Sequence, residues 1–257
     1  MLLAHQLADL ADEISLGSFD HGVVATSKAD GSPVTETDVE VERQLINVLA
    51  GVRPADGVVS EEGGRRPGSK RRWIIDPIDG TVNFVAGHPQ WGTHVALEED
   101  GEIVLGIVTR PVLGQRWWAT KGGGAHHSDT GSGESDRTLR VSTCDVLAES
   151  RVTGWPPEPS PERAMLRKHA IWIEPDFTLL AQLLDGELDV IIARAGSIWD
   201  HAPGVILTEE AGGRFRDLDG GRRLDTGGGI YTNGRVDHQL LHVLDVRLGR
   251  SQEDHLA

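Results

Sequence analysis

The stretch Trp73-Ile74-Ile75-Asp76-Pro77-Ile78-Asp79-Gly80-Thr81-Val82-Asn83-Phe84 decides how the chain is read. An apolar strand, Trp73 to Ile75, breaks at Asp76. Pro77 removes a backbone donor and bends the chain. Asp79 follows, and Gly80-Thr81 opens a helix. Asp76 and Asp79 can turn toward one point at the strand's end, with the Ile78 carbonyl between them. These are hard oxygen donors at close range, suited to Mg²⁺ or another hard dication. The amides of Gly80 and Thr81 would lie at a helix N-terminus, where phosphate oxygens bind. A bare Asp-x-x-Asp would read as two turn caps. Two further acidic runs strengthen the chemical reading: Ser60-Glu61-Glu62 closes the preceding strand, and Trp199-Asp200 follows a later one.

Working outward, Leu2, Leu3, Leu7, Leu10 and Ile14 recur at helical spacing and predict an amphipathic helix over about 3–19. Thr35 and Asp38 have the spacing of a capping box for a second helix that stops near Gly51. Strands are expected over 93–97, 103–109 and 115–120, with Asp100-Gly101 as a hairpin turn. Residues 121–137 read as a Gly-rich loop with His126-His127 exposed in it, and Trp155 to Pro161 as a second loop. Beyond it come a helix over 176–186, a strand over 189–193, a helix over 201–210 and a last helix over 236–248. The run Arg65, Arg66, Lys70, Arg71 and Arg72 reads as a solvated surface loop, or else as a lid over an anionic substrate.

The chain has 257 residues, with 40 acidic and 25 basic side chains and a formal charge of −15. Such a surface repels phosphate backbones, which argues against general nucleic-acid binding. Cys144 is the only cysteine, so neither an intrachain disulfide nor a cysteine zinc cluster can form. No apolar run approaches the roughly 20 residues that span a bilayer. No signal peptide, no membrane attachment and a cytoplasmic location are the expectations.

The run Asp76 to Thr81 joins three other motifs. These are Lys28-x-Asp30-x-Ser32-Pro33-Val34-Thr35-x-x-Asp38, then Glu61-Glu62, then Trp199-Asp200 with Glu210-Ala211-Gly212-Gly213 behind it. In this set and order the chain resembles the inositol monophosphatase family of Mg²⁺-dependent phosphomonoesterases. The resemblance implies an α/β fold, a layered αβαβα sandwich of the inositol monophosphatase/fructose-1,6-bisphosphatase type. It implies an N-terminal α+β part over 1–140 with most metal ligands. A C-terminal α/β part over 141–250 would carry Asp200 and the substrate-selecting residues, and 251–257 would be a frayed tail. It further implies a homodimer. The family's metal ligands fall on Glu61, Asp76, the Ile78 carbonyl, Asp79 and Asp200, for two to three Mg²⁺, with Asp76 bridging two of them. Asp38 and Thr81 would orient and deprotonate the attacking water, with Glu61 beside them. Attack would be in line, without a phosphoenzyme. Metals neutralise a phosphate monoester's charge and stabilise the departing alkoxide, and clustered carboxylates are tolerated only with such cations.

The implied substrate is a small phosphorylated alcohol. Histidinol-phosphate phosphatases of the family often carry Gly-Asp where this chain has Pro175-Asp176, so Asp176 leans toward histidinol phosphate; it would serve equally as a helix cap. Ala193 stands where inositol-type members often place a Glu, and Arg194 beside it could meet a second anionic group. His201, next to Asp200, could face the substrate. Inositol phosphate, and a nucleoside, nucleotide or specialised-metabolite phosphate, stay open as substrates. A catalytically weak metal- or phosphate-binding sensor is the reading from another class.

Overall fold

The computed structural model describes residues 1–29, 31–68, 70–130, 134–154 and 161–248. Asp30 of the first motif, most of the 155–161 loop including Trp155, and the 251–257 tail lie outside them. The helices are α1 (Leu2–Phe19), α2 (Glu36–Val52), α3 (Thr81–Ala86), α4 (Pro161–His169), α5 (Leu179–Leu184), α6 (Ile198–Glu210) and α7 (Asp237–Leu248). The strands are β1 (Ala25–Ser27), β2 (Pro33–Thr35), β3 (Gly57–Ser60), β4 (Arg65–Arg66), β5 (Arg71–Asp79), β6 (Gly92–Glu99), β7 (Glu102–Arg110) and β8 (Gln115–Thr120). They continue with β9 (Gly124–Asp129), β10 (Glu134–Thr138), β11 (Arg151–Gly154), β12 (Ile171–Trp172), β13 (Val190–Ala193), β14 (Arg214–Arg216) and β15 (Gly229–Thr232). The protein is mixed α/β, in two compact units.

The first unit holds residues 1–139 together with α6. Its sheet runs β10-β9-β8-β7-β6-β5-β3-β4, antiparallel except for the parallel β3–β5 pair. On one face Leu7, Ala8 and Ala11 of α1 and Val41, Leu45 and Leu49 of α2 pack against Trp73, Ile75, Val95, Leu97, Leu105 and Ile107. Side chains alternate along a strand, so Ile74, Asp76 and Gly106 face the other side. There α6 lies on the sheet. A Cβ on Gly106 would fall 2.6 Å from Ile206 Cγ2 and 2.8 Å from Pro203 Cα, so only glycine admits this approach. The second unit holds 140–197 and 211–257. Its sheet runs β12-β11-β13-β15-β14, and Met165 and Leu166 of α4 with Leu240 and Leu244 of α7 cover Val152, Val190, Ile192 and Ile230.

Several expectations change. The strand through Trp73 does not break at Asp76 but continues through Pro77 to Asp79, because the proline sits in a bulge. The Gly-rich segment expected as a loop contains β9 and β10, where backbone pairing with Trp117 and Trp118 outweighs local composition. His127 is consequently buried at 6% exposure, its ring tilted against that of Trp117, and not exposed. The helix expected from Asp176 starts at Leu179, and that expected from His201 starts at Ile198. The helix bearing Asp200, expected in the C-terminal part, belongs to the first unit. The Asp100-Gly101 hairpin is present, with both residues at positive φ. In the basic run, Lys70, Arg71 and Arg72 face Asp100, Asp56, Glu98 and Glu99, and Arg66 donates to the carbonyls of Arg53 and Asp56. The described residues of that run are thus partly β-strand and engaged with neighbours.

Candidate active site

The bulge in β5 creates the site. Asp76 pairs with His94 and Asp79 with Gly92, so three steps along β5 match two along β6. Strict alternation would send Asp76 and Asp79 to opposite faces, since they are an odd number of residues apart. One extra residue reverses the phase and aims both at the α6 side. Donor atoms of Asp76, Asp79 and His94 then lie within 4.8 Å of one another. Gly80 takes φ +83°, and a Cβ there would approach the Gln90 carbonyl to 3.1 Å, so the turn out of the bulge requires glycine.

Asp76 is 1% exposed, and its Oδ1 accepts no hydrogen bond. Burial, followed by the negative charges of Glu61, Asp79 and Asp200, pushes its carboxyl well above the ordinary carboxylate range. Four carboxylates from β5, the turn after β3 and the first turn of α6 therefore converge electrostatically. A buried carboxylate oxygen without a donor, among like charges, is a set that a divalent cation satisfies. Asp79 behaves oppositely. Burial works to raise it, but the charge of His94 and the Arg110 guanidinium 3.0 Å from Oδ2 win and hold it below the usual range. Burial depresses the His94 imidazole itself, against the pull of Asp79. Gly92 makes room for it: a Cβ there would sit 1.7 Å from the Thr109 carbonyl oxygen and 3.0 Å from Arg110 Nη1.

Glu61 is placed by the turn after β3. Lys28 Nζ reaches Glu61 Oε1 at 2.7 Å and Glu62 Oε1 at 2.6 Å. Burial opposes the Lys28 charge, but these two bonds raise its pKa overall. From α2, the buried Glu42 carboxylate accepts hydrogen bonds from Ser60 Oγ, from the Glu62 amide at 2.8 Å and from the Gly64 amide at 2.9 Å. Asp38 is divided between two tasks. Its Oδ2 accepts from the Thr35 amide at 2.9 Å, closing the expected capping box, and its Oδ1 faces Thr81 Oγ1 at 3.4 Å. Burial raises its pKa against the Thr35 hydrogen bonds, with Glu61 adding to the rise. Thr81 Oγ1 also donates to the Ile78 carbonyl at 3.0 Å.

Of the residues singled out for substrate, His201 lies inside the first turn of α6 and is 4% exposed. Asp176 and Arg194 belong to the second unit. Asp176 accepts from the Thr178 amide at 2.7 Å, Thr178 Oγ1 at 2.8 Å and Gln182 Nε2 at 3.1 Å, an Asx turn just ahead of α5, whose N-cap is Thr178. Arg194 is half-buried, and burial lowers its pKa. Sequence reasoning gave no role to His94, Arg110, Lys28 or Glu42. His94 and Arg110 join the site through strand register, which no short turn between β5 and β6 encodes. The Lys28 motif was visible, but not its two partners.

Residues 2–249 match the sequence profile of the inositol monophosphatase family. The chain is 44% identical over 246 residues to a Streptomyces griseus protein named glucose-1-phosphate thymidylyltransferase, covering 94% of this chain and 95% of that one. It is 37% identical over 259 residues to a histidinol-phosphatase of Mycobacterium tuberculosis, covering 95% and 97%. The crystal structure of the extragenic suppressor protein SuhB from Bartonella henselae matches with a TM-score of 0.81 at 28% identity, covering 95% of this chain and 97% of that one. With a whole-chain family match, a shared fold and a carboxylate cluster on a bulged strand, the chain belongs to the inositol monophosphatase family of metal-dependent phosphoric monoester hydrolases.

Proposed function

We propose that this chain hydrolyses the phosphate monoester of a small alcohol, with histidinol phosphate the favoured substrate, using Mg²⁺ held by Glu61, Asp76, the Ile78 carbonyl, Asp79 and Asp200. The observation that carries the metal assignment is the buried, donorless Oδ1 of Asp76 among like charges. When bound, Mg²⁺ supplies charge neutralisation for the phosphate oxygens and the leaving alkoxide and acidifies water. The chain's own groups do the rest. Asp38, with its Oδ2 tied into the capping box, presents Oδ1 to Thr81 and keeps that hydroxyl oriented. The pair positions the attacking water, and Asp38, whose pKa is raised by burial, accepts its proton through Thr81. The amides of Gly80 and Thr81 would hold phosphate oxygens beside the carboxylates. Asp176, where histidinol-phosphate phosphatases of the family often carry Gly-Asp, and the 37% identity to a histidinol-phosphatase support the substrate.

The test is phosphate release with Mg²⁺ from histidinol phosphate, inositol 1-phosphate, glucose 1-phosphate and 3′- and 5′-nucleotides. Glucose 1-phosphate with dTTP is a further arm, because the 44%-identical relative is named for that transfer. Histidinol phosphate should give the highest kcat/KM, and dTTP should yield no pyrophosphate. Equal rates across the panel would remove the substrate. Pyrophosphate formation without monoester hydrolysis would remove the reaction.

A further inference from the structure

The donor set beside Asp79 is not composed of oxygen alone. His94 is 6% exposed and lies directly opposite Asp76 in the β5–β6 ladder. Its Nε2 is 3.4 Å from Asp79 Oδ2 with no hydrogen-bond partner, and the Trp199 backbone interacts with the ring. A buried imidazole normally finds a partner for each nitrogen. Here one is aimed at a metal-ligating carboxylate instead. Ligands of one ion, each about 2.0–2.2 Å from it, are separated by no more than about 4.4 Å. The Asp76, Asp79 and His94 donors, within 4.8 Å of one another, need shifts of only a few tenths of an ångström to share an ion.

We propose that His94 Nε2 is a nitrogen ligand to the cation held by Asp76 and Asp79, so that this centre prefers a borderline transition dication such as Mn²⁺ or Co²⁺ over Mg²⁺. Mg²⁺ demands oxygen donors and sheds water reluctantly, whereas imidazole favours the first-row transition ions. Arg110, 3.0 Å from Asp79 Oδ2, works in the same direction. A cation must share Asp79 with that guanidinium, which penalises the ion that relies on carboxylate charge alone.

This inference rests on the carboxylate centre proposed above, and its test separates the two. Mn²⁺ alone is added to the full chain, without substrate, and electron spin-echo modulation is recorded. The wild type should show coupling to a directly bound ¹⁴N. His94→Gln, which supplies an amide oxygen, and His94→Ser, which fits the narrow strand position, should lose that coupling. Both should lower the ratio of Mn²⁺ to Mg²⁺ affinity about tenfold or more. Mn²⁺ bound in an Asp79-dependent way, but with no nitrogen coupling or with an unchanged affinity ratio in both variants, overturns the role of His94 and leaves the carboxylate centre standing. Mn²⁺ binding indifferent to Asp79→Asn overturns both.

Discussion

Replacing Asp76 with Asn should stabilise the chelator-treated protein while abolishing its response to Mg²⁺. Asp76 is 1% exposed, its Oδ1 has no donor, and Glu61, Asp79 and Asp200 surround it with negative charge. The folded chain therefore keeps a proton on this carboxyl that the unfolded chain releases around the ordinary value of 3.8. Where the folded state binds the extra proton, stability falls as pH rises. The loss begins near 3.8, grows through the raised folded value, and is complete above it. Asn keeps the shape, removes the charge and gives an amide that can donate to Glu61. Asn avoids that proton linkage, which costs about 1.4 kcal/mol for each pH unit between the unfolded and folded values, and for a chain of this size each kcal/mol moves Tm by about 2–4 °C. The assay is thermal unfolding of both proteins in EDTA from about pH 4 upward, repeated with Mg²⁺. The wild type should lose Tm with rising pH in EDTA and recover it with Mg²⁺, and the variant should be level in both. A variant less stable than the wild type in EDTA, or a wild-type Tm level across that range, would refute the reasoning.

Thr81→Ala removes the hydroxyl between the Ile78 carbonyl and Asp38 without touching a carboxylate. It should cut kcat by about 10²-fold or more, with Mn²⁺ affinity unchanged by titration. Glu42→Ala takes away the acceptor for Ser60 Oγ and the amides of Glu62 and Gly64. Urea unfolding should show a loss of about 2–4 kcal/mol, and metal titration a weaker site, since the turn bearing Glu61 loosens. Gly106→Ala drives a methyl into Ile206 and Pro203 of the helix that carries Asp200. It should cost about 1–3 kcal/mol by the same measurement and lower the fitted metal affinity, while an unchanged affinity would mean that α6 does not set the position of Asp200.

The acidic motifs, the two N-terminal helices and the β6–β7 hairpin were legible because each is written in local chemistry. The Thr35–Asp38 box satisfies amides within one turn, and Asp100-Gly101 supplies the positive φ that a two-residue hairpin needs. Strands β9 and β10 were not, because their sequence is poor in apolar residues and they form by pairing, β9 along β8 and β10 along β9. The second use of Asp38, toward Thr81 forty-three residues away, needed coordinates as well.

From its residues alone, the chain determines that several carboxylates are set for a hard cation and that Asp76, Asp79, Gly80 and Thr81 lie on one short strand-to-helix passage. Only the tertiary structure decides that Asp76 and Asp79 face the same way, that His94 and Arg110 stand beside them, and that Asp200 arrives on a helix packed against Gly106. The physical reason is register. A strand's side-chain phase is reversed by one extra residue, and Pro77 permits a bulge in β5 while only the register with β6 fixes where the phase turns.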